Sequence, residues 1–373
     1  MLFRSHLGNL NEAWIGGLPP IGARAITLFP AAAILIVMPL NKEFMTCSTP
    51  VVLILYNRPD LTARVFAAIR HARPRDLFLI ADGPCTSADE PTCREARRVV
   101  SRVDWDCRVH QRFLESNLGC GRGPASGIDW VFGQVETAII LEDDCLPAPS
   151  FFSFCETLLG RYRDDPRIMH ISGNNYQLGR RFFPNSYYFS KYTHNCGWAT
   201  WRRAWRHYDF ELKGWPSFQR EGGLRRVCPD PVEAAFWRQK LQPIYEQKRA
   251  DAWDYQWNFA VWSQGGLAIL PAYNLITNLG FRPDATHTRQ PDARANLPTS
   301  DLWELRHPPS VAPDREADRF TFDEILGGHR LRRRRTWRYR LAKPVRLWRK
   351  FQTPSLKAMS AMLLRLRGEH HYG

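Results

Sequence analysis

The amino-acid sequence predicts an α/β protein with a mainly parallel sheet flanked by helices. Short apolar runs recur from Pro50 onward, and each stops abruptly at polar residues. The runs are continuous, as in strands buried on both faces. Stretches with apolar residues at helical spacing lie between them, and this alternation means β-α-β units.

Residues 51–56 make the first strand, closed by Asn57-Arg58-Pro59-Asp60. A helix over 61–70 follows from the spacing of Leu61, Val65, Phe66 and Ile69. The second strand covers 76–81 and stops at Asp82-Gly83-Pro84. Residues 95–103 read as a helix and 108–113 as the third strand. The stretch 115–123 reads as a glycine-rich loop, with a helix after it to Phe132. Residues 138–141 form a buried strand that ends in Glu142, Asp143 and Asp144, with Pro147 and Pro149 beyond. Ser150 caps a helix through Tyr162, and 168–172 is a further short strand. Residues 180–265 are aromatic-rich, with helices over 231–248 and from Asp254 to Trp262. Short strands over 267–270 and 274–277 precede the stretch 280–288. No internal repeat is present.

The chain of 373 residues, 44% apolar with 14 tryptophans, is ample for one large α/β domain. Nine scattered cysteines without a C-x-x-C pair fit reduced thiols of a cytoplasmic protein better than a disulfide framework or a zinc site. Net charge is +15, yet 11 Lys or Arg fall between Arg330 and Lys350 with no acid, leaving +4 for the rest. The organisation expected is an extension over 1–46, a main domain over 47–290, and a Pro- and charge-rich linker with a basic tail over 291–373. In the extension, 25–40 is apolar but interrupted by Pro30 and shorter than the roughly 20 residues a spanning helix needs. A signal-anchor, a secretory signal and a mis-set start compete there. The mis-set start is favoured, because Met45 stands just before the first strand.

Chemistry concentrates at strand ends. Three adjacent carboxylates repel one another and cannot stay desolvated unpaired. Glu142, Asp143 and Asp144 therefore call for a metal ion, an arginine or a metal-bound phosphate, with a solvated acidic turn as the bland alternative, and oxygen-only donors suit Mg2+ or Mn2+. Asn57-Arg58 and Asp82-Gly83 end neighbouring strands, where open α/β sheets bind ligands. Asp82 reads equally as a turn residue and as a partner of a nucleoside. The glycines of 117–123, with Asn117 and Arg122, open a helix whose N–H groups suit an anion or a sugar, although no P-loop signature follows.

Taken together, Val-Leu-Ile-Leu-Tyr-Asn-Arg-Pro, Ala-Asp-Gly, Asn-Leu-Gly-Cys and Ile-Ile-Leu-Glu-Asp-Asp-Cys-Leu-Pro resemble a nucleotide-sugar glycosyltransferase of the Rossmann-like GT-A fold. The chain is similar to bacterial family 2-like transferases, and Glu-Asp-Asp followed by Phe151-Phe152 also resembles the N-acetylglucosaminyltransferase I group. The resemblance spans about residues 50–290. It implies a nucleoside-diphosphate-sugar donor, a UDP-sugar before others, and a glycan or lipid-linked acceptor. It also implies that Asp144 holds Mn2+ or Mg2+, that Asp143 and Glu142 face the ribose and the sugar, that Tyr56, Asn57, Arg58 and Asp82 border the nucleoside, and that Asn117 and Arg122 border the donor. Apart from the resemblance, His287 after the last strand reads either as a further metal or diphosphate ligand or, as lone loop histidines more often are, as a solvated side chain. Gly197-Trp198 is similar to a glycine-aromatic element that shapes an aromatic-rich acceptor side, so Trp198 is placed at the sugar.

Leaving-group charge needs a cation, and the acceptor hydroxyl needs a separate base. Asp254, between tryptophans at a helix start, is the expected base of an inverting displacement. A helix cap is the other use for it. A sugar-nucleotide pyrophosphorylase would share the fold but opens with a Gly-rich, Lys/Arg-bearing signature that Asn57–Asp60 lacks. A non-catalytic nucleotide- or sugar-binding protein is a rival of another class. The basic tail, interleaved with Trp337, Tyr339 and Trp348, reads either as solvated or as a peripheral contact with the inner membrane face. No nucleic-acid fold signature accompanies it, so no nucleic-acid partner is expected.

Overall fold

The apolar runs of the N-terminal half become adjacent parallel strands. β1 (Val51–Leu55) pairs with β2 (Asp76–Ala81) on one side and β4 (Thr137–Glu142) on the other, and β3 (Arg108–Phe113) extends the sheet beyond β2. The computed structural model describes residues 46–248, 250–283, 285, 290 and 292–335. The extension 1–45, His287 and everything after residue 335 lie outside the described residues.

After β4 the chain forms β5 (Cys145–Pro147), β6 (Ile168–Ser172), β7 (Tyr187–Ser190), β8 (Trp198–Trp201), β9 (Leu267–Pro271) and β10 (Ile276–Asn278). The main sheet has eight strands in the order β3-β2-β1-β4-β8-β6-β9-β7, and β5 pairs with β10 in a separate two-stranded ribbon. β8 runs against β4 and β6, β9 runs with β6, and β7 runs against β9. Six of the eight strands therefore point the same way.

Both faces of this sheet are covered, which is why its central strands read as unbroken apolar runs. Val51, Leu53 and Leu55 face α1 (Pro59–Ala72), α2 (Glu90–Val100) and α4 (Ser150–Arg161) through Val65, Ile69, Ala96, Phe151 and Leu158. Val52 and Ile54 face α3 (Gly119–Phe132) and α9 (Asp254–Ser263) through Ile128, Val131, Trp257 and Val261. Burying one such side chain stabilises by about 1.5–3 kcal/mol. α1 begins where Pro59 at its first turn forces Arg58 out of the helical region, and ends at Arg73, whose N–H reaches the Ile69 carbonyl at 3.0 Å.

Four short or amphipathic helices, α5 (Arg202–Trp205), α6 (Trp215–Arg220), α7 (Gly223–Val227) and α8 (Pro231–Gln247), follow β8. Trp215, Trp237 and Trp262 form a core of their own with Leu224, Leu241 and Phe322. The aromatic-rich stretch is thus mainly packing.

The segment after residue 290, expected as linker and tail, is instead part of the body as far as residue 335. Ser186 N donates to the Arg306 carbonyl at 2.9 Å and Asp314 N to the Phe189 carbonyl at 2.8 Å, so this segment lines the edge strand β7. Leu302, Leu305 and Val311 pack on the core. α10 (Arg315–Phe320) docks through Asp318, which accepts from Ser190 Oγ at 2.5 Å. α11 (Gly328–Arg335) carries the first arginines of the basic run, and Arg332 there bridges Asp230 and Asp323. A row of unpaired backbone groups along β7 needs cover, and this segment supplies it.

Two histidines are withdrawn from water beside the sheet, His170 fully and His194 in part. His170 in β6 stacks on Trp198 with ring centroids 5.1 Å apart, and its Nδ1 accepts from Trp257 Nε1 at 3.0 Å. That leaves its Nε2–H to donate to the His194 carbonyl at 3.1 Å, so the neutral tautomer uses every polar atom. Burial pushes both His170 and His194 down to about 3 from the usual 6.5. The unfolded chain takes up protons at these sites as pH falls through 6.5 while the folded chain does not, so their contribution to stability is present above that pH and lost below it. The raised carboxyls of the cleft described below act in the opposite sense, so a direct titration is the cleaner measurement. In a proton NMR titration, two of the eleven histidines should stay neutral down to pH 5 or lower, about the bottom of the range in which ordinary histidines titrate. All of them titrating near the usual value would contradict this placement.

Candidate functional site

The chain runs from β1 outward through β2 to β3, then returns to β4 on the other side of β1. The loops leaving β1 and β4 therefore diverge and open a crevice at the carboxyl ends of these strands, where doubly wound sheets take their ligands. β1 delivers Tyr56-Asn57-Arg58 to it, and β4 delivers Glu142-Asp143-Asp144.

These residues meet. The Arg58 guanidinium forms an ion pair with Asp143 through Nη2 and with Asp144 through Nη1, the latter at 3.0 Å. Asp143, only 2% exposed, also accepts from the Tyr56 backbone N–H at 3.4 Å. Glu142 accepts from the Trp253 indole N–H at 3.2 Å. Burial, with repulsion from Asp144 and Asp143, pushes the Glu142 carboxyl well above the usual carboxylate range. Asp143 is also raised by burial, although Arg58 beside it pulls the other way. When all three acids are ionised, one guanidinium faces three carboxylates, and the pocket has a net charge of −2.

A small ribbon closes the crevice from the far side. β10 pairs with β5, and beyond it Leu279 N donates to the Asp144 carbonyl at 2.8 Å. A side chain at position 280 would collide with the Asp144 carboxylate, so glycine there lets the backbone pass. Behind Asp144, the Cys145 thiol lies 3.4 Å from Oδ1 and the Cys196 Sγ lies 2.8 Å from that of Cys145.

Asp82, at the end of β2, has its carboxylate occupied by backbone N–H groups: Gly83 and Leu118 at 2.9 Å, and Gly119 at 2.9 Å. Asn117 donates to the Gly83 carbonyl at 2.7 Å. These two residues tie the end of β2 to the start of α3, which begins at Gly119 inside the stretch expected as a loop. Arg122 lies over the Phe210 ring at 4.5 Å. Tyr56 and Asn57 turn toward the segment after β2: the Tyr56 hydroxyl accepts from Cys85 N at 3.0 Å, and Asn57 Nδ2 donates to Asp89 at 3.1 Å. Burial, with Asp89, Cys93 and Cys85 adding repulsion, pushes the Tyr56 phenol up to about 12 despite the Cys85 hydrogen bond, so it stays protonated.

Asp254 opens α9 one residue after Trp253, and its Oδ1 accepts from Tyr255 N at 2.9 Å. Trp253 thus links the helix that carries Asp254 to Glu142. The expected place of Trp198 is corrected: it is fully buried, stacked on Trp253 with centroids 5.4 Å apart, and forms the layer behind the wall. Trp253 is the tryptophan that reaches an acid of the triplet. The sequence signal for it was its position beside Asp254, while its partner Glu142, 111 residues away, could not be read from the chain.

Sequence reasoning also missed Arg294, in the segment taken as linker. It pairs with Asp292 at 2.6 Å, lies 5.7 Å from the Phe281 ring centroid and is within electrostatic range of Tyr176 and Tyr255.

The donor set is compatible with a divalent cation. Asp144 Oδ1 meets only a weak thiol donor in this structure. Among the described residues, no group of three or more His, Cys, Asp or Glu side chains converges on a metal position.

No family model matches the sequence, and no curated protein matches it. Among solved structures the chain is similar to a UDP-glucose pyrophosphorylase complexed with UDP-glucose. That match has a TM-score of 0.27 and 8% identity and covers 43% of this chain and 78% of that one.

Proposed function

We propose that this chain is a metal-dependent glycosyltransferase that moves a sugar, with inversion, from a nucleoside-diphosphate sugar to a hydroxyl acceptor. The observation that supports it best is the negative pocket of Glu142, Asp143 and Asp144 at the β1/β4 switch point. Such a pocket repels a bare diphosphate and suits one accompanied by a divalent cation. Bound there by Asp144, Mn2+ or Mg2+ would supply charge stabilisation for the departing diphosphate. Arg58 adds a cation next to the same position, and a planar guanidinium suits phosphate oxygens. Glu142 and Asp143 present acceptors for hydroxyls of the donor sugar and ribose. Asp254 takes the proton of the incoming hydroxyl.

A UDP-sugar is the first donor to try, and a glycan or lipid-linked hydroxyl the acceptor. The basic run Arg330 to Lys350, of which the part beyond residue 335 lies outside the described residues, would hold such an enzyme at an anionic membrane surface. Among the described residues no helix is long and apolar enough to cross a membrane. The second reading, a sugar-nucleotide pyrophosphorylase, uses the same crevice. It has no need of Asp254, because its attacking pyrophosphate oxygen is already anionic.

A panel of UDP- and GDP-sugars with Mn2+ tests both. Slow release of the nucleoside diphosphate, abolished by EDTA, is the expected result. Pyrophosphate-dependent formation of a nucleoside triphosphate would favour the second reading. Absence of donor binding with and without Mn2+ would overturn both.

A further inference from the structure

We infer that Arg58 is an exchangeable counter-ion: it holds Asp143 and Asp144 while the crevice is empty, and exchanges that pairing for diphosphate oxygens when a divalent cation and a diphosphate arrive together. This rests on the reading of the crevice as a nucleotide-sugar site and adds a rule for the order of binding.

The backbone and the side chain of Arg58 are held very differently. Its carbonyl accepts from Thr62 N at 2.9 Å and Thr62 Oγ1 at 2.8 Å, so α1 fixes the main chain. The side chain has no bond within α1. It reaches across to β4, and 21% of it is exposed while Asp143 beneath is 2% exposed. A long side chain at the mouth of a crevice, bonded at its tip alone, can swing without disturbing the fold. The carboxylates are held independently: Asp143 keeps the Tyr56 N–H and Glu142 keeps the Trp253 indole when Arg58 leaves.

The electrostatics set the order. A cation binding alone must compete with a guanidinium already on both acids and leaves that guanidinium without a partner, at a desolvation cost. With the acids ionised, a diphosphate binding alone meets their surplus negative charge. When both arrive, the cation compensates the carboxylates and Arg58 gains an anion of the geometry it prefers. Each ligand then strengthens the other by the same factor, as linkage requires.

The test is binding of Mn2+, by electron paramagnetic resonance or calorimetry, with and without UDP, in wild type and Arg58→Gln. Wild type should bind Mn2+ alone weakly, and saturating UDP should tighten it by about 5–150-fold, the usual span of such coupling. Arg58→Gln should bind Mn2+ alone on the order of tenfold more tightly, because a unit charge within a few ångström has been removed. UDP should then tighten it much less. Arg58→Lys is the second variant should glutamine compromise folding. A single ammonium cannot bridge two carboxylates as a fork does, so Mn2+ alone should again bind more tightly than to wild type. Unchanged or weaker Mn2+ binding in both variants, or undiminished coupling to UDP, would overturn the exchange while leaving the donor site standing. Failure of wild type to bind UDP under any condition would sink the site reading and the exchange with it.

Discussion

Asp144→Ala should abolish metal-dependent donor binding and leave the fold in place. Its Oδ1 meets only a weak thiol, which leaves it capacity for a cation. Calorimetric titration with UDP and Mn2+ should show affinity down by about 10–100-fold or more, the scale of losses at a perturbed metal site. Thermal unfolding should move little, because Arg58 retains Asp143 and the smaller side chain leaves the Gly280 backbone room. Normal UDP affinity in the presence of Mn2+ would place the cation elsewhere. The same measurement in EDTA separates the two contributions: wild type without metal should resemble the variant with it.

Asp254→Asn should bind donor normally and lose turnover. Asparagine keeps the shape and can still accept the Tyr255 N–H, so α9 should start where it does now. It cannot accept a proton from a hydroxyl. Positioned general-base catalysis is worth about 10²–10⁴-fold, and that is the expected fall in kcat, with donor KM nearly unchanged. Slow hydrolysis of the donor serves as the readout until an acceptor is known. Near-normal turnover would remove Asp254 as the base and leave it a capping residue. The two variants also separate from each other: the first loses affinity and the second keeps it.

The contrast between these residues shows what kind of information each required. Residues 76–81, 108–113 and 168–172 are strands with the expected bounds. Apolar runs buried on both faces leave few other options. The glycines of 115–123 suggest a loop, yet Gly119 already opens α3, because the Asp82 carboxylate accepts from the N–H groups that a helix start leaves unpaired. β7 and β8 escaped notice because Tyr187 to Ser190 and Trp198 to Trp201 are too short and too aromatic to separate from general core. The course of residues 292–335 along β7 escaped for a different reason. Proline and charge describe how a segment meets solvent, and they do not say which sheet edge needs covering.

The sequence by itself determined the strand–helix alternation, the acids at the end of β4 and the polar ends of β1 and β2. Each is a local matter of burial: an apolar run must be covered, and an uncompensated charge cannot follow it into the core. Tertiary structure alone decided the partners. Arg58 lies on the acids because β1 and β4 are neighbours, though 85 residues separate Arg58 from Asp143. Trp253 reaches Glu142 while Trp198 is sealed beneath it, and Asp82 serves the backbone of α3. Which polar group satisfies a buried charge depends on distances of a few ångström between elements far apart in the chain, and only the packed sheet sets those distances.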